Sequence, residues 1–356
     1  MKGKFAAMRI EHDRLRPLIT AIFTNAGCQR AEAERIAIHL VEANLVGHDS
    51  HGVIRVASYV QWLRAGKVLA DRSIQIVFEN EVIAVVDGQC GFGQTIGEQA
   101  VNLGVSKCKR YGVAVVALRN SGHLGRIGDW PLQAAQAGIL SLHFVNTTGA
   151  GILVAPFGGT QRRLSANPIA AGVPIAGASP VLLDISACTL AEGKIRVALN
   201  KGVNVPENCI IDSQGRPTTD PKVFYADPPG AILPIGGHKG YGLALLCEVL
   251  AGALTGGGCS NPHNADRVLN GMLSIYLDAS FFQADPIFAA EIKRFIDWVK
   301  SSAKTSPDGA ILMPGEIEQH TKARRLCDGI EIDPATWAQL VETAKAVGLS
   351  DVQIGD

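Results

Sequence analysis

Two short polar loops of the sequence place histidines beside hydroxyl groups and arginines, a combination suited to acid–base chemistry. Residues 47–52 read Gly-His-Asp-Ser-His-Gly, so Ser50 adjoins His51, and Arg55 follows four residues later. The second loop, which follows an apolar run, holds His123 with Arg126 three residues on. Histidine titrates near neutral pH, so either ring can give and take a proton, and a guanidinium binds a carboxylate through two hydrogen bonds. The loops therefore predict reversible proton transfer at the carbonyl oxygen of a small substrate that also carries a carboxylate.

A third candidate site lies at residues 236–242, which read Gly-Gly-His-Lys-Gly-Tyr-Gly before an apolar run. Backbone amides at a helix N-terminus, together with Lys239, form an anion site that suits a phosphate group. The spacing is not that of a Walker loop. A glycine-rich turn that opens a core helix explains the same residues, so both interpretations stay open.

The histidines also permit a rival interpretation as a metal-dependent hydrolase. His48, His51 and His123 are imidazole donors, and the first two could both ligate zinc if they were helical. However, the chain has no His-Glu-x-x-His motif, and the spacing of these histidines matches no common zinc motif. We predict no bound metal and interpret the remaining histidines as structural: His12, His39, His143, His263 and His320.

The composition leaves two classes of protein open, an enzyme that acts on small molecules and a protein–protein interaction module. The chain has 356 residues, 47% of them hydrophobic, which is enough for about two domains with room for a small third subdomain. Lys plus Arg equals Asp plus Glu at 33 each, so we expect no nucleic-acid partner. No apolar run approaches the roughly 20 residues that cross a bilayer. The eight cysteines form no Cys-x-x-Cys pair, and we expect reduced thiols in a cytoplasmic protein.

Hydrophobic periodicity predicts a helical N-terminal region followed by interleaved strands and helices, so the fold class is α/β, or α+β. Three helices end near Gly27, Gly47 and Gly66. Strands are expected at residues 74–78, 82–86, 113–118, 140–145 and 181–184, and later helices at residues 93–110, 240–254, 289–301 and 335–347.

A glycine string after the strand at residues 82–86 mimics a dinucleotide-binding fingerprint. Gly91, Gly93 and Gly97 open a predicted helix, but with one residue too many. The fingerprint also needs a carboxylate at the end of the next strand, which here ends near Arg119. We therefore expect a turn that joins a strand to a closely packed helix, and no Rossmann fold.

Taken in order, these motifs resemble those of the malate/L-lactate dehydrogenase family, which is unrelated to the Rossmann lactate dehydrogenases. Residues 47–55 with Tyr59 resemble its first signature and residues 120–128 its second. Residues 167–169, 183–185, 193–194, 238–243 and 313–316 follow in the family's order, so the resemblance covers nearly the whole chain. Residues 195–197, 201–203 and 215–219 are most similar to the hydroxycarboxylate dehydrogenase branch.

The resemblance implies a nicotinamide-binding fold with a mainly antiparallel sheet and a helical substrate domain built from both chain ends. We expect residues 1–75 to join residues 285–356 in that domain, with a cofactor- and substrate-binding core at 76–284. It also implies a homodimer that uses NAD or NADP to interconvert a small 2-oxo acid and its 2-hydroxy acid, of the malate, lactate or aryl-lactate type. Some relatives reduce cyclic imino acids, so C=N reduction is a second hypothesis.

The resemblance also implies roles for individual residues. Ser50 and His51 would relay a proton, His123 would be the acid–base group or adjoin the nicotinamide, and Arg55 and Asn167 would contact the substrate. Residues expected along the cofactor are His123, Leu124, Gly125, Arg126, Ile127, Asp184, Ile185, Ser186, His238, Lys239, Gly240, Pro314, Gly315 and Glu316.

One motif departs from the family pattern. Relatives tend to read Asp-x-Ala-Thr-Ser where this chain has Asp184, Ile185, Ser186, Ala187 and Cys188. A thiol therefore stands in place of a hydroxyl, which puts a hydrogen bond at Ser186 in more doubt than the role of Asp184. The aspartate that completes the relay in some relatives is not identified by the sequence, with Asp49 and Asp184 as candidates.

Overall fold

The helical region combines the two ends of the chain. The computed structural model describes residues 8–149, 151–262, 267–282 and 285–351, which leaves His263 outside. Strand β1 (Met8–Ile10) pairs antiparallel with β12 (Ile330–Ile332). Around this pair pack α1 (His12–Asn25), α2 (Arg30–Leu45), α3 (Val56–Arg64) and α11 (Pro334–Ala346). Gly27, Gly47 and Gly66 follow the first three helices with positive φ, as the sequence predicts.

A seven-stranded sheet forms the centre of the molecule. Its order is β2-β3-β4-β11-β5-β6-β7, and only β3 and β4 pair in parallel. The strands are β2 (Gln75–Glu79), β3 (Ile83–Asp87), β4 (Val113–Ser121), β5 (Leu140–Gly149), β6 (Pro168–Val173), β7 (Val181–Ser186) and β11 (Val268–Leu277). The prediction of a mixed fold with a mainly antiparallel sheet is confirmed.

The glycine string serves helix packing. Helix α4 (Gly93–Tyr111) connects β3 to β4 and, with α5 (Asp129–Gln136), packs against the sheet. A Cβ atom at Gly93 would overlap the His123 carbonyl, and one at Gly97 would lie 2.5 Å from the Trp130 ring. At the end of β3, Asp87 bonds Arg119 and Asn120. The close helix packing expected from the sequence is therefore present.

A smaller lobe with its own apolar core follows β7. It contains α6 (Glu192–Lys201), β8 (Ile210–Ile211), β9 (Pro217–Thr218), α7 (Pro221–Phe224), β10 (Ala231–Ile232) and α8 (His238–Cys247). A π-helical turn, Glu248–Ala253, continues α8. Beyond the sheet lie α9 (Asp285–Lys300) and α10 (Glu316–Asp328). The expected domain boundaries at residues 75 and 285 stay predictions.

Among the helices in the described part of the chain, none combines the length and apolar character needed to cross a membrane.

Candidate active site

The loop at residues 47–52 is shaped by the side chain of Asn44. Its Oδ1 accepts a hydrogen bond from the Val53 amide at 2.8 Å, and its Nδ2 donates to Asp49 Oδ1 at 2.6 Å. Gly52 is required here because a Cβ atom would overlap the Asn44 amide group. Two 3-10 turns, Asp49–His51 and Val53–Arg55, then lead into α3. This local framework fixes where His51 and Arg55 leave the backbone.

The two histidines singled out in the sequence stack on one another. The ring centroids of His51 and His123 are 5.6 Å apart, with 10° between the ring planes. Ser50 Oγ lies 3.0 Å from His51 Nδ1, and Arg55 Nε donates to the Ser50 carbonyl at 2.6 Å. Residues 72 positions apart in the chain thus form one cluster of two imidazoles, a hydroxyl and a guanidinium.

The hydroxyl group of Tyr59 holds the ring of His123 in place. Its hydroxyl lies 2.6 Å from His123 Nδ1 and accepts a hydrogen bond from Gln94 Nε2 at 3.3 Å. Burial raises the pKa of Tyr59 to about 12, so the phenol keeps its proton and donates it to Nδ1. The imidazole hydrogen of a neutral His123 is therefore on Nε2. Neither contact was predicted, although Tyr59 lies one helical turn after Arg55.

Desolvation and one cation keep both imidazoles neutral. Burial, and then the charge of Arg55, lower the pKa of His123 to about 3. The pKa of His51 also falls well below its ordinary value, first through burial and next through Arg55. Arg55 thus has two uncharged acid–base groups beside it.

Arg126 joins the second loop to the end of β7. It is 4% exposed, its Nη1 donates to Asp129 Oδ1 at 2.8 Å, and its Nε lies 3.9 Å from Asp184 Oδ2. The Gly128 amide donates to the same Asp184 oxygen at 2.9 Å. Burial raises the pKa of Asp184, against the lowering effect of His48 and Arg126.

The second carboxylate at Arg126 also binds a histidine. His39 Nδ1 lies 2.8 Å from Asp129 Oδ2. Burial alone would raise the pKa of Asp129, but hydrogen bonds from His39 and Arg126 lower it. The predicted residues Arg126 and Asp184 are therefore brought together within one ionic cluster.

The neighbouring predicted cofactor residues divide into buried and accessible ones. Leu124 and Ile127 are part of the sheet core, while Gly125 adopts a φ of +72°. Ile185 and Ser186 end β7 and are half-buried. The Ser186 hydroxyl donates to the Cys188 carbonyl at 3.1 Å, so this hydrogen bond is made between two residues of the altered motif.

The segment at residues 314–316 lies beside the start of β7. The Pro314 carbonyl accepts from the Leu182 amide at 3.0 Å, and Gly315 has a φ of +96°. The Glu316 carboxylate accepts from the Met313 amide and pairs with Lys300, and these bonds lower its pKa.

The third sequence motif opens α8 as predicted. His238 and Lys239 are exposed in its first turn, and Gly240 is needed because a Cβ atom would overlap the Ile235 carbonyl. A cavity of about 650 Å³ with no charged lining residue adjoins Gly236 and Gly237. In the described chain, no hydrogen bond or ring contact links His238 or Lys239 to the stacked histidines.

Asn167 is fully buried just before β6. Its Nδ2 donates to the Ala244 carbonyl at 3.0 Å and to Glu248 Oε1 at 2.9 Å, and its Oδ1 accepts from Ser165. The side-chain amide of Asn167 is therefore hydrogen-bonded inside the protein. Its expected contact with the substrate stays a prediction.

Helix α10 packs across the first loop, an arrangement that the sequence analysis missed. Arg325 binds both oxygens of Asp49, at 2.6 and 3.0 Å, and His48 Nε2 lies 3.3 Å from Glu318 Oε1. Neither Asp49 nor Asp184 bonds Ser50 or His51 within the described chain. The relay aspartate is therefore still unassigned.

The cysteines and possible metal ligands were also located. All eight cysteines are free thiols. Within the ranges that the structure describes, no group of three or more His, Cys, Asp or Glu side chains is placed to hold a metal ion.

Comparison with known proteins gives the same family as the motifs. The malate/L-lactate dehydrogenase family model matches residues 10–341. Hydroxycarboxylate dehydrogenase B of Escherichia coli O157:H7 is 40% identical over 96% of this chain and 95% of its own. The sulfolactate dehydrogenase structure from Methanocaldococcus jannaschii superposes with a TM-score of 0.85 at 36% identity, over 96% of this chain and 98% of that one.

A further structural relative is named as a reductase of a different kind of substrate. Delta1-piperideine-2-carboxylate reductase from Pseudomonas syringae pvar. tomato superposes with a TM-score of 0.81 at 28% identity, over 94% of this chain and 99% of that one. Fold, motif order and relatives agree on the class of protein, which is a non-Rossmann oxidoreductase. The chain belongs to the malate/L-lactate dehydrogenase family.

Proposed function

We propose that this protein is an NAD(P)-dependent dehydrogenase that interconverts a small 2-oxo acid and the corresponding 2-hydroxy acid. The observation that carries the proposal is the stacked pair of His51 and His123 beside Arg55. A ketone reduced next to a carboxylate needs a cation for the carboxylate and a proton for the carbonyl oxygen. The cluster offers both groups side by side.

Arg55 is proposed to bind the substrate carboxylate and to couple binding to proton uptake. Its charge lowers the pKa of both histidines. A carboxylate bound to the guanidinium offsets that charge, so both histidine pKa values rise toward the range useful for proton transfer. The proton is therefore taken up when substrate is present.

His123 is proposed as the group that faces the carbonyl oxygen, because Tyr59 occupies Nδ1 and directs the hydrogen on Nε2 outward. His51 stacks behind it, and Ser50 holds the His51 ring at Nδ1. In reduction the doubly protonated ring of His123 gives its Nε2 proton to the carbonyl oxygen and keeps the proton on Nδ1, which then donates to the Tyr59 hydroxyl oxygen. In the oxidative direction the unprotonated Nε2 takes up the hydroxyl proton.

The residues at the end of β7 fit a nicotinamide coenzyme. Arg126 is a buried cation whose Nε has no hydrogen-bond partner in the described chain. We propose that Arg126, Asp184 and Ser186 hold the coenzyme, and that His238, Lys239 and Gly240 bind a phosphate of it. When bound, such a coenzyme supplies the hydride.

Reduction of a cyclic imino acid is the second candidate. It is favoured by the likeness to the piperideine carboxylate reductase structure. The same cation would bind the carboxylate of an imino acid, so the residues of the site do not separate the two substrates.

We further propose that the protein acts as a cytoplasmic homodimer. Support for the dimer comes from exposed apolar side chains at the end of the π-helical turn that continues α8 and along α9, such as Leu254 at 63% and Trp298 at 67% exposure.

The activity is tested by following oxidation of NADH and of NADPH at their near-ultraviolet absorbance with a panel of oxidants. The panel comprises pyruvate, oxaloacetate, phenylpyruvate, hydroxyphenylpyruvate, sulfopyruvate, diketogulonate and piperideine carboxylate. We expect turnover of at least one 2-oxo acid, and the faster coenzyme identifies the cofactor. Turnover of the imine alone would transfer the function to C=N reduction. Absence of turnover across the panel would contradict the proposal.

The role of Arg55 is tested by Arg55→Ala. Loss of a charge-assisted bidentate partner is expected to raise the KM for the 2-oxo acid by about 100-fold or more. Arg64→Ala, at the exposed end of the helix that follows Arg55, serves as the control. An unchanged KM in Arg55→Ala would reject carboxylate binding by this residue.

A further inference from the structure

A buried carboxylate lies outside the histidine cluster. Glu248 begins the π-helical turn that follows α8, and it is 4% exposed. π-Helical turns are rare and are often found at functional sites. Neither the motifs nor the comparisons give this residue a role.

The Glu248 carboxylate is surrounded by neutral donors. Its Oε1 accepts from Asn167 Nδ2 at 2.9 Å and from Ser260 Oγ at 2.7 Å. Its Oε2 accepts from the Ser260 amide at 2.8 Å and from Asn146 Nδ2 at 3.2 Å. In the portions of the chain that the structure describes, it forms no ion pair with Lys, Arg or His. Four donors on two oxygens match the acceptor-only carboxylate form.

Burial of this carboxylate is energetically unfavourable, so packing alone does not explain why Glu248 lies here. Burying a carboxylate without a cation is unfavourable even when the group is hydrogen-bonded, and an apolar side chain of similar volume avoids that desolvation. What the carboxylate adds is direction, because each oxygen orients two specific groups.

One arm of the network leads to His123. Asn146 Oδ1 accepts from the Gly271 amide at 3.2 Å, and the Asn146 carbonyl accepts from Asn270 Nδ2 at 2.9 Å. Asn270 Oδ1 in turn accepts from the amide of Leu124 at 2.8 Å. The residue directly after His123 is therefore held by a chain of hydrogen bonds that starts at Glu248.

The other arm leads to the end of β7. Asn167 adopts a φ of +40°, a left-handed conformation that needs support from its surroundings. The residue before it, Ala166, accepts from the Ala187 amide at 2.9 Å, and the residue after it, Pro168, pairs with Ser186. Fixing the Asn167 side chain thus fixes the strand end that carries Ser186.

We propose that Glu248 is a positioning residue: its carboxylate binds Asn146 and Asn167, and thereby holds the backbone at Leu124 and at Ala187 in the geometry that the site requires. The consequence for catalysis rests on the proposed function, whereas the effect on backbone geometry does not. Both can be measured separately.

The principal test is Glu248→Gln, which preserves shape but replaces one acceptor oxygen with a donor. Two of the four donors then face an amide group, so the arm on that oxygen loses its acceptor, and because Ser260 bonds both oxygens the other arm is weakened as well. We expect amide exchange with deuterium in peptides covering residues 120–127 and 184–190 to accelerate by about tenfold. We expect kcat for the 2-oxo acid to fall by about tenfold or more, with a smaller change in the coenzyme KM.

Glu32→Gln is the matched control. Glu32 is 3% exposed in α2, and its carboxylate accepts from Thr95 Oγ1 at 2.8 Å and from the Asp71 amide at 2.5 Å. Its loss removes an equally buried carboxylate in the helical region, so it lowers thermal stability without accelerating exchange at the two peptides.

Each outcome is decisive. Local acceleration in Glu248→Gln alone, with reduced kcat, supports the proposal. Unchanged exchange, or the same acceleration in Glu32→Gln, would overturn it. If the wild-type protein reduces no panel compound while the exchange pattern appears, Glu248 positions the backbone and the proposed function is what fails.

A milder variant covers the case in which Glu248→Gln does not fold. Ser260→Ala removes one donor and leaves the carboxylate, so the fold is retained. We expect exchange at both peptides to increase by about threefold, since the loss of one neutral hydrogen bond weakens the restraint on the carboxylate only in part. No increase in a folded Ser260→Ala protein would overturn the proposal.

Discussion

Tyr59 bonds His123 directly and is itself bonded by Gln94, so the state of one imidazole depends on two residues outside the loop motifs. Tyr59→Phe removes the donor to Nδ1 and lets the imidazole hydrogen occupy either nitrogen. We expect kcat to fall by about 10- to 100-fold with little change in the substrate KM, as for the loss of an orienting bond. Steady-state kinetics measure both constants.

Tyr111→Phe is the control, because that tyrosine ends α4 and stacks with Arg110 away from the histidines. A Tyr59→Phe enzyme with the wild-type kcat would show that orientation of His123 does not depend on the phenol.

At this scale the sequence predicts the residues with distinctive chemistry and misses those that support them. His51, His123, Ser50 and Arg55 are identified because each lies in a short polar loop, and the structure brings them together. Gln94 and Asn270 support the same cluster but come from a helix and a strand. Asn270 bonds Leu124 across 146 positions of the chain, and no local pattern reports such a contact.

Among the elements, α10 holds the loop that carries Ser50 and His51. Arg325 binds the Asp49 carboxylate through two nitrogens and also donates to the Asn44 carbonyl. We expect Arg325→Ala to lower kcat by about three- to tenfold, because a partly exposed bidentate pair contributes roughly 1 kcal/mol. The melting temperature should change by no more than a few degrees.

Arg324→Ala is the matched control, since the neighbouring residue on α10 makes none of these bonds. Equal kinetic losses in both variants would mean that the pair between α10 and the loop is not what orders the loop.

The elements that the sequence predicts are those with a clear apolar period, such as α1, α2 and β4. Strand β11 was missed although it is central to the sheet, because Asn270, Gly271 and Ser274 interrupt its apolar run. Helix α10 was missed because its sequence, Glu-Ile-Glu-Gln-His-Thr-Lys-Ala-Arg-Arg-Leu-Cys-Asp, is mostly polar and has no buried residue. Its position depends on ionic contacts, which leave no hydrophobic pattern.

For the whole molecule, buried histidines predict a loss of stability in acid. Burial lowers the pKa of His143 to about 3, and its ring nitrogens bond Ser274 and Ser141. The unfolded chain binds a proton below about pH 6.5, whereas the folded chain does not until near pH 3. The free energy of unfolding therefore decreases as the pH falls through this window, by up to about 1.4 kcal/mol per pH unit for each such histidine.

Urea unfolding between pH 7 and pH 4 measures this slope. In His143→Asn we expect a shallower slope, because one proton-binding difference between the folded and unfolded states is lost. His320→Asn, on the exposed side of α10, should keep the wild-type slope. A wild-type slope in His143→Asn would contradict the assignment of a neutral folded-state imidazole.

The pairing of β1 with β12 has a consequence for the order of events during synthesis. Ile10 lies opposite Ile330, and the helical core that contains Ile10 also needs Trp337 and Leu340 from α11. A ribosome releases α1, α2 and α3 long before α11, so their apolar faces lack part of their cover until the last segment emerges. The sheet, whose strands lie between residues 75 and 277, can be completed earlier. We therefore expect the nascent chain to fold from its middle outward. The loop that bears His51 should be among the last segments to become ordered.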